Sequence, residues 1–388
     1  MTKRLELLSG LVWLASLCTM SRAQIRNPES TRTPISGDSP QNPGPLASDL
    51  SGDLKSASVR AAMKKVADWQ LGQIRSTPSK DWTYATLYAG FITASNTLHD
   101  PRYADYVQSL GQQWNWTLGP RRTHADDQAI GQAYLALYRI HKNPEMITPL
   151  SAQFDDIMTL PDDPAKPVWW WCDALFMAPP VWAGLSQVTT NPKYNVYMDH
   201  EWHATDNLLW SKENHLFFRD ATYLTKREKN GADIFWSRGN GWVMGGLVRV
   251  LEVLPESDPS NAFYRMRLKQ MAAEIIKLQR SDGLWSPGLL DNPDYPLPEV
   301  SGSAFFVYAL AWGINHHELD AHTYRPVVER AWKAMVTQHI YADGRLGCIQ
   351  PVGAAPGEFT AGSSFVYGTG AFLMAGSEVE HLQAHRHR

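Results

Sequence analysis

The stretch Ser301–Ile314, SGSAFFVYALAWGI, is apolar on every side and rich in small residues. Its length suits a helix better than a strand, and a helix without a polar face must be buried all round. Five other stretches share this character: WTYATLYAGFITA from Trp82, DQAIGQAYLALY from Asp127, DALFMAPPVWAGL from Asp173, GWVMGGLVRVLEVL from Gly241 and SFVYGTGAFLMAG from Ser364. Each is entered through a polar or aromatic residue. Between them lie amphipathic, charged segments at Ser56–Ile74, Arg102–Trp116, Tyr194–Trp210, Asn261–Gln279 and Tyr324–His339, with a weaker one at Pro144–Met158. Six buried helices ringed by six amphipathic ones make a closed all-α (α/α)6 barrel, a single domain over residues 54–380. An open superhelix of the same hairpins is the competing arrangement. Strand signals are sparse; Asp282-Gly283 and Asp343-Gly344 predict turns after outer helices, with short hairpins at most.

A closed barrel has a mechanical consequence. The N-termini of the inner helices share one mouth, so residues distant in sequence converge there. Those entrances collect His124, Asp126, Asp127, Trp171, Asp173, Trp236, Arg238, Trp242, Glu299 and Ser363. Helix N-termini favour negative charge, whether it sits on a side chain or on a ligand.

The run Trp169-Trp170-Trp171-Cys172-Asp173 stands at one such entrance. Indole faces give large, rigid contact areas for the apolar faces of sugar rings. A carboxylate among them is partly desolvated, which raises its pKa and suits it to donating a proton near neutral pH. The competing reading makes the indoles core residues and Asp173 a helix N-cap. With 16 Trp and 15 Tyr in 388 residues, the aromatic surplus favours a ligand that stacks.

Hydrophobic content of 44%, charged content of 19% and a formal net charge of −3 describe a globular protein without a nucleic-acid or membrane-surface partner. At the start of the chain, Lys3 and Arg4, the apolar stretch Leu7–Met20 and the small residues around Ser21-Arg22-Ala23 predict a signal peptide over residues 1–23. The apolar stretch is shorter than a membrane span needs. Export to the periplasm or the medium is expected, with no membrane attachment of the mature form. Residues 24–53 are rich in Pro, Ser, Gly and Asn and read as a flexible tether. After loss of Cys18 with the signal, Cys172 and Cys348 remain, too few for a disulfide framework. His316, His317, His322 and Glu318 show no ligand spacing, and no Walker loop, dinucleotide fingerprint or nucleophile elbow is present; neither metal nor cofactor is expected.

Trp170-Trp171-Cys172-Asp173-Ala174-Leu175-Phe176-Met177-Ala178-Pro179-Pro180, taken with Phe235-Trp236-Ser237-Arg238-Gly239-Asn240-Gly241-Trp242, resembles glycoside hydrolase family 105, the unsaturated rhamnogalacturonyl hydrolases and their relatives. The likeness runs from about Val66 to the end and implies the (α/α)6 barrel. It also implies cleavage of a Δ4,5-unsaturated uronic acid from the non-reducing end of lyase-generated oligosaccharides, with pectin-type rhamnogalacturonan fragments as the first substrate class. On this resemblance Asp173 is the proton donor and water activator. Asp127 assists, with the adjacent Asp126 the alternative; Trp171 stacks on sugar, Arg238 meets the uronate carboxylate, and Trp236 and Trp242 belong to the same pocket. One departure is Leu216-Phe217-Phe218-Arg219-Asp220, where several relatives carry a histidine and Arg219 offers a second positive contact. Unsaturated glucuronyl hydrolases acting on glycosaminoglycan or ulvan fragments are the neighbouring possibility, and a non-catalytic carbohydrate-binding barrel is the rival from another class.

Overall fold

The computed structural model describes residues 37–163 and 166–382; the expected signal peptide, Cys18 and the histidine-rich C-terminal end lie outside the described residues. In chain order the helices are α1 (Ser56–Ile74), α2 (Trp82–Leu98), α3 (Arg102–Gln113), α4 (Ala125–Gln128), α5 (Gly131–His141), α6 (Thr148–Ile157), α7 (Ala174–Met177), α8 (Pro179–Thr189), α9 (Lys193–Leu209), α10 (Ser237–Leu251), α11 (Asn261–Ile275), α12 (Val300–Asn315), α13 (Ala321–Gln338) and α14 (Val366–His381). The inner helices neighbour one another in the order α2, α5, α8, α10, α12, α14 and back to α2, so the ring is closed and the open superhelix is excluded. Outside it, α1, α3, α9, α11 and α13 each pack on an inner helix adjacent to them in sequence. The weakly expected sixth outer partner is present as α6, whose Phe154 stacks on Trp182 of α8 at 3.8 Å between ring centres.

Closure depends on two glycines. A Cβ on Gly370 of α14 would lie 2.5 Å from the Thr86 carbonyl oxygen, and one on Gly90 of α2 would lie 2.6 Å from the Gly370 carbonyl oxygen. Only a residue without a side chain permits backbones to meet this closely, and this is where the first and last inner helices join.

Two inner helices are broken near their starts, which the periodicity does not reveal. Pro179 and Pro180 lack amide protons and crowd the preceding turn, so the chain forms α7, stops, and restarts as α8. Between α4 and α5 the bonds tighten to the i→i+3 type, from the Gln132 amide to Ala129 and from Ala133 to Ile130. Both breaks shift the first turn relative to the helix behind it, and these first turns carry the acidic residues of interest.

The expected tether is corrected from Gly37 onward. β1 (Gly37–Asp38) pairs antiparallel with β4 (Ser364–Phe365), while β2 (Trp210–Ser211) and β3 (Leu216–Phe217) form a separate hairpin. The Ala47 amide donates to Ile340, Ala342 donates to Pro45, and Arg345 pairs with Asp38 at 2.8 Å. A segment poor in apolar residues reads as a linker, yet backbone hydrogen bonds, ion pairs and the few apolar contacts of Ala47 and Leu50 attach it.

The aromatic surplus also goes elsewhere than expected. Trp169, Trp182, Trp202, Trp236, Trp242, Trp285 and Trp332 are all fully buried, so these indoles are spent on the core. Cys172 and Cys348 are both buried and free. Among the described residues no helix is long and apolar enough to cross a membrane.

Candidate active site

Asp173 owes its position to a short piece of extended backbone. Trp171 bridges Asp220, and the Cys172 amide donates to the Arg219 carbonyl at 2.8 Å. Behind them α9 holds the same segment: Thr205 Oγ1 donates to the Trp169 carbonyl at 2.6 Å, and the Val168 amide donates to Glu201. Trp169 and Trp171 turn inward, at 1% and 4% exposure, while Trp170 stands out at 45%.

The Asp173 side chain makes no capping hydrogen bond to α7, so the N-cap reading fails and the carboxyl is left for other work. Its side chain is 12% exposed, and Arg219 Nε lies 3.7 Å from Oδ2. Burial pushes the Asp173 pKa above the usual carboxylate range, against the opposing pull of Arg219 and Arg238. Cys172 Sγ lies 3.5 Å from the same Oδ2 and donates to it. The environment thus keeps a proton on Asp173 to higher pH than on an ordinary aspartate.

Arg219 is the cation facing this acid. Its Nη1 donates to Asp220 Oδ2 at 2.7 Å, and its guanidinium carbon lies 5.5 Å from the centre of the Trp170 ring. The Nε has no hydrogen-bond partner, and the side chain is 19% exposed. In Asp220, burial works to raise the pKa, but hydrogen bonds from Arg219 and Thr222 outweigh it and the group sits below its ordinary value. A carboxylate held ionised beside Arg219 fixes a guanidinium that stays partly exposed.

The second inner-helix entrance meets the first because α4 packs on α7. There the His124 ring centre is 4.7 Å from that of Trp171, and His124 Nδ1 lies 3.6 Å from Asp126 Oδ2. Arg121 grips Asp127 from both sides, with Nη2 2.8 Å from Oδ1 and the backbone amide 2.6 Å from Oδ2. The same Nη2 is 3.6 Å from Asp126. An acid with a raised pKa, a neighbouring guanidinium that is partly exposed, an exposed indole and a second acidic pair occupy one mouth of a helical barrel. That is the equipment of a sugar-cleaving site.

The family model described as Glycosyl Hydrolase Family 88 matches residues 55–383. The chain belongs to this family. It is a glycoside hydrolase, and the carbohydrate-binding barrel without turnover is set aside. The chain is 40% identical over 350 residues to an unsaturated 3S-rhamnoglycuronyl hydrolase of Formosa agariphila, covering 85% of this chain and 92% of the relative. It is 34% identical over 369 residues to a protein of the same description from Alteromonas sp. (strain LOR), covering 86% and 89%. Among solved structures, a glycosyl hydrolase family 88 protein from Bacteroides vulgatus superposes with a TM-score of 0.80 at 30% identity, covering 84% of this chain and 99% of that one. The sequence resemblance named family 105, and what it shares with these findings is the broader 88/105 grouping.

Within this family 88 barrel, three residues expected in the pocket lie behind it. Arg238 is fully buried; its Nη1 and Nη2 donate to the carbonyls of Gln350 and Pro351, each at 2.7 Å. The guanidinium sits 4.3 Å from the Trp236 ring centre and 5.0 Å from that of Tyr367, with Glu299 3.9 Å away. Its two terminal nitrogens are committed to backbone oxygens and its Nε is sealed in the interior, so it is no open fork for a uronate. Trp236 and Trp242 are core rings. Trp242 packs against Trp82, Phe176, Phe305 and Tyr367, and Trp236 Nε1 donates to Gln350 Oε1 at 3.0 Å. Glu299 caps α12 through the amides of Ser301 and Gly302, and Ser363 Oγ donates to the Ile349 carbonyl. Sequence reasoning missed Trp170, Arg121 and Asp220. No local pattern marks any of the three.

Proposed function

We propose that this enzyme removes a Δ4,5-unsaturated uronosyl residue from the non-reducing end of rhamnose-containing oligosaccharides, with a 3-sulfated rhamnose next in the chain. The observation that carries the reading is Asp173: a carboxyl whose pKa is raised by burial, still reachable, and faced by Arg219. Two curated relatives that match most of the chain are described as unsaturated 3S-rhamnoglycuronyl hydrolases, which supports this substrate over the pectin-type fragments expected first. The ulvan-type alternative thereby becomes the leading one, within the family 105 type of chemistry. Export of the protein, read from residues 1–23, would place it where lyase products arise.

The unsaturated sugar is an enol ether conjugated to a carboxylate. Protonated Asp173 delivers its proton to C4, leaving positive charge shared by C5 and the ring oxygen. The resulting Asp173 carboxylate takes a proton from water as that water adds at C5. The hemiketal so formed opens and expels the remaining saccharide, so one acid/base serves both steps. Arg219 meets the uronate carboxylate, Trp170 stacks on the sugar, and Asp126 with His124 flanks the ring beside Trp171. Asp127, held by Arg121, orders that loop.

Arg219→Gln tests the uronate contact and the electrostatics together. Losing a charge-assisted hydrogen bond of roughly 1.5–3 kcal/mol raises KM about 10- to 100-fold. Arg219 also lowers the Asp173 pKa, so its removal keeps Asp173 protonated to higher pH and moves the alkaline limb of the kcat profile upward. An unchanged KM with an unmoved limb would show that the carboxylate is read elsewhere.

The substrate is tested by following the ultraviolet absorbance of the conjugated enol ether across lyase digests of several polymers. Loss with sulfated rhamnose-uronate fragments is expected. Loss confined to rhamnogalacturonan digests would return the reading to pectin, and no loss with any digest would refute the reaction.

A further inference from the structure

On the outer face of the barrel, the chain after α6 folds over α9 and encloses a pocket of about 510 Å³. Asp162 from that chain, with His200 and Glu201 from α9, bring one ligand atom each to within 4.8 Å of one another. His200 Nε2 lies 3.1 Å from Asp162 Oδ2. Glu201 is only 4% exposed; one of its oxygens accepts the Val168 amide at 3.2 Å, and the other has no hydrogen-bond or ion-pair partner among the described residues. A carboxylate this buried without a cation is costly. Lys166 and Lys193 line the same pocket but are engaged elsewhere, with Asp163 at 3.6 Å and Asp155 at 2.8 Å. Neither lysine therefore neutralises Glu201.

We propose that Asp162, His200 and Glu201 bind a divalent first-row transition metal of the zinc type. One imidazole with two carboxylates is a donor set suited to such ions, whereas calcium prefers six or more oxygens. Metal–ligand distances of about 2.0–2.2 Å require the three side chains to close in from the arrangement present. Coordination would tie Asp162 to α9 and leave water in the remaining positions. The consequence is mechanical. Glu201 and Thr205 of α9 already hold Val168 and Trp169, directly ahead of Trp170 and Asp173, so the ion would stiffen the approach to the acid without touching the reacting atoms.

The test uses the full chain, stripped with a chelator and titrated with zinc chloride alone by calorimetry and thermal melting. One saturable equivalent and a higher melting temperature are expected. His200→Ala and Asp162→Ala alter exposed side chains, so both variants should fold and retain turnover of the wild-type substrate while binding zinc at least about tenfold more weakly. Glu201→Gln, which keeps the acceptor for Val168, should weaken zinc to a similar degree. Absence of saturable binding by the wild type, or equal affinity in His200→Ala and Asp162→Ala, would overturn the site. Tighter binding of calcium than of zinc would overturn the assignment of an imidazole ligand.

Discussion

Asp173→Asn is expected to reduce kcat by about 10²- to 10⁴-fold, the span associated with loss of a positioned general acid, while leaving the fold intact. Asparagine keeps the shape and cannot supply the proton. Its effect on stability is equally diagnostic. The folded-state pKa of Asp173 is raised, so the folded protein holds the proton after the unfolded chain has released it. That contribution to stability is fully present below the unfolded-state pKa and is lost as pH rises through the folded-state value. Asparagine removes the decline, so the variant should melt no lower than the wild type at neutral pH and should show a flatter dependence of Tm on pH. Near-normal turnover would remove Asp173 from the reaction. A large fall in Tm with no change in its pH dependence would make the carboxylate structural.

The second large effect concerns Arg238. Arg238→Ala should destabilise the protein by about 3–5 kcal/mol, the range seen when one member of a buried charged pair is deleted. It strips donors from the Gln350 and Pro351 carbonyls, removes the cation beside Glu299 and opens a void between Trp236 and Tyr367. Arg238→Lys should rescue little, because an ammonium cannot bridge two carbonyls and lie flat between two rings. Denaturant or thermal unfolding reads this directly. A variant that melts like the wild type and shows only a raised KM would restore the carboxylate-binding role expected from the sequence. Arg219 and Arg238 thus divide what the motif appeared to assign to one residue: the first stands in the mouth, the second braces the wall behind it.

Much of the fold was legible because burial on all sides leaves a compositional mark. Segments such as Ser301–Ile314 have nowhere to lie but inside a ring of helices, and α2, α10, α12 and α14 begin within four residues of where the pattern placed them. Asp173 was legible for a similar reason, since an acid at the end of an indole run is conspicuous. The side chains around it were harder to place. Trp236, Arg238 and Trp242 share a motif with polar, pocket-like character, yet neighbours from Trp82, Gln350 and Tyr367 surround them. No local pattern records those contacts. The segment from Gly37 to Asp53 misled for the opposite reason, being attached by backbone bonds and ion pairs that composition does not register.

By itself, then, the sequence determined the helical barrel, its single mouth and the acid at that mouth, because these follow from hydrophobic periodicity and from the few residue types that can donate a proton. Tertiary structure alone decided which tryptophan faces out, which arginine is open to a ligand, and that Asp162 meets His200 and Glu201. Each of those depends on the angle at which distant segments cross, and crossing angles are set by packing across the ring.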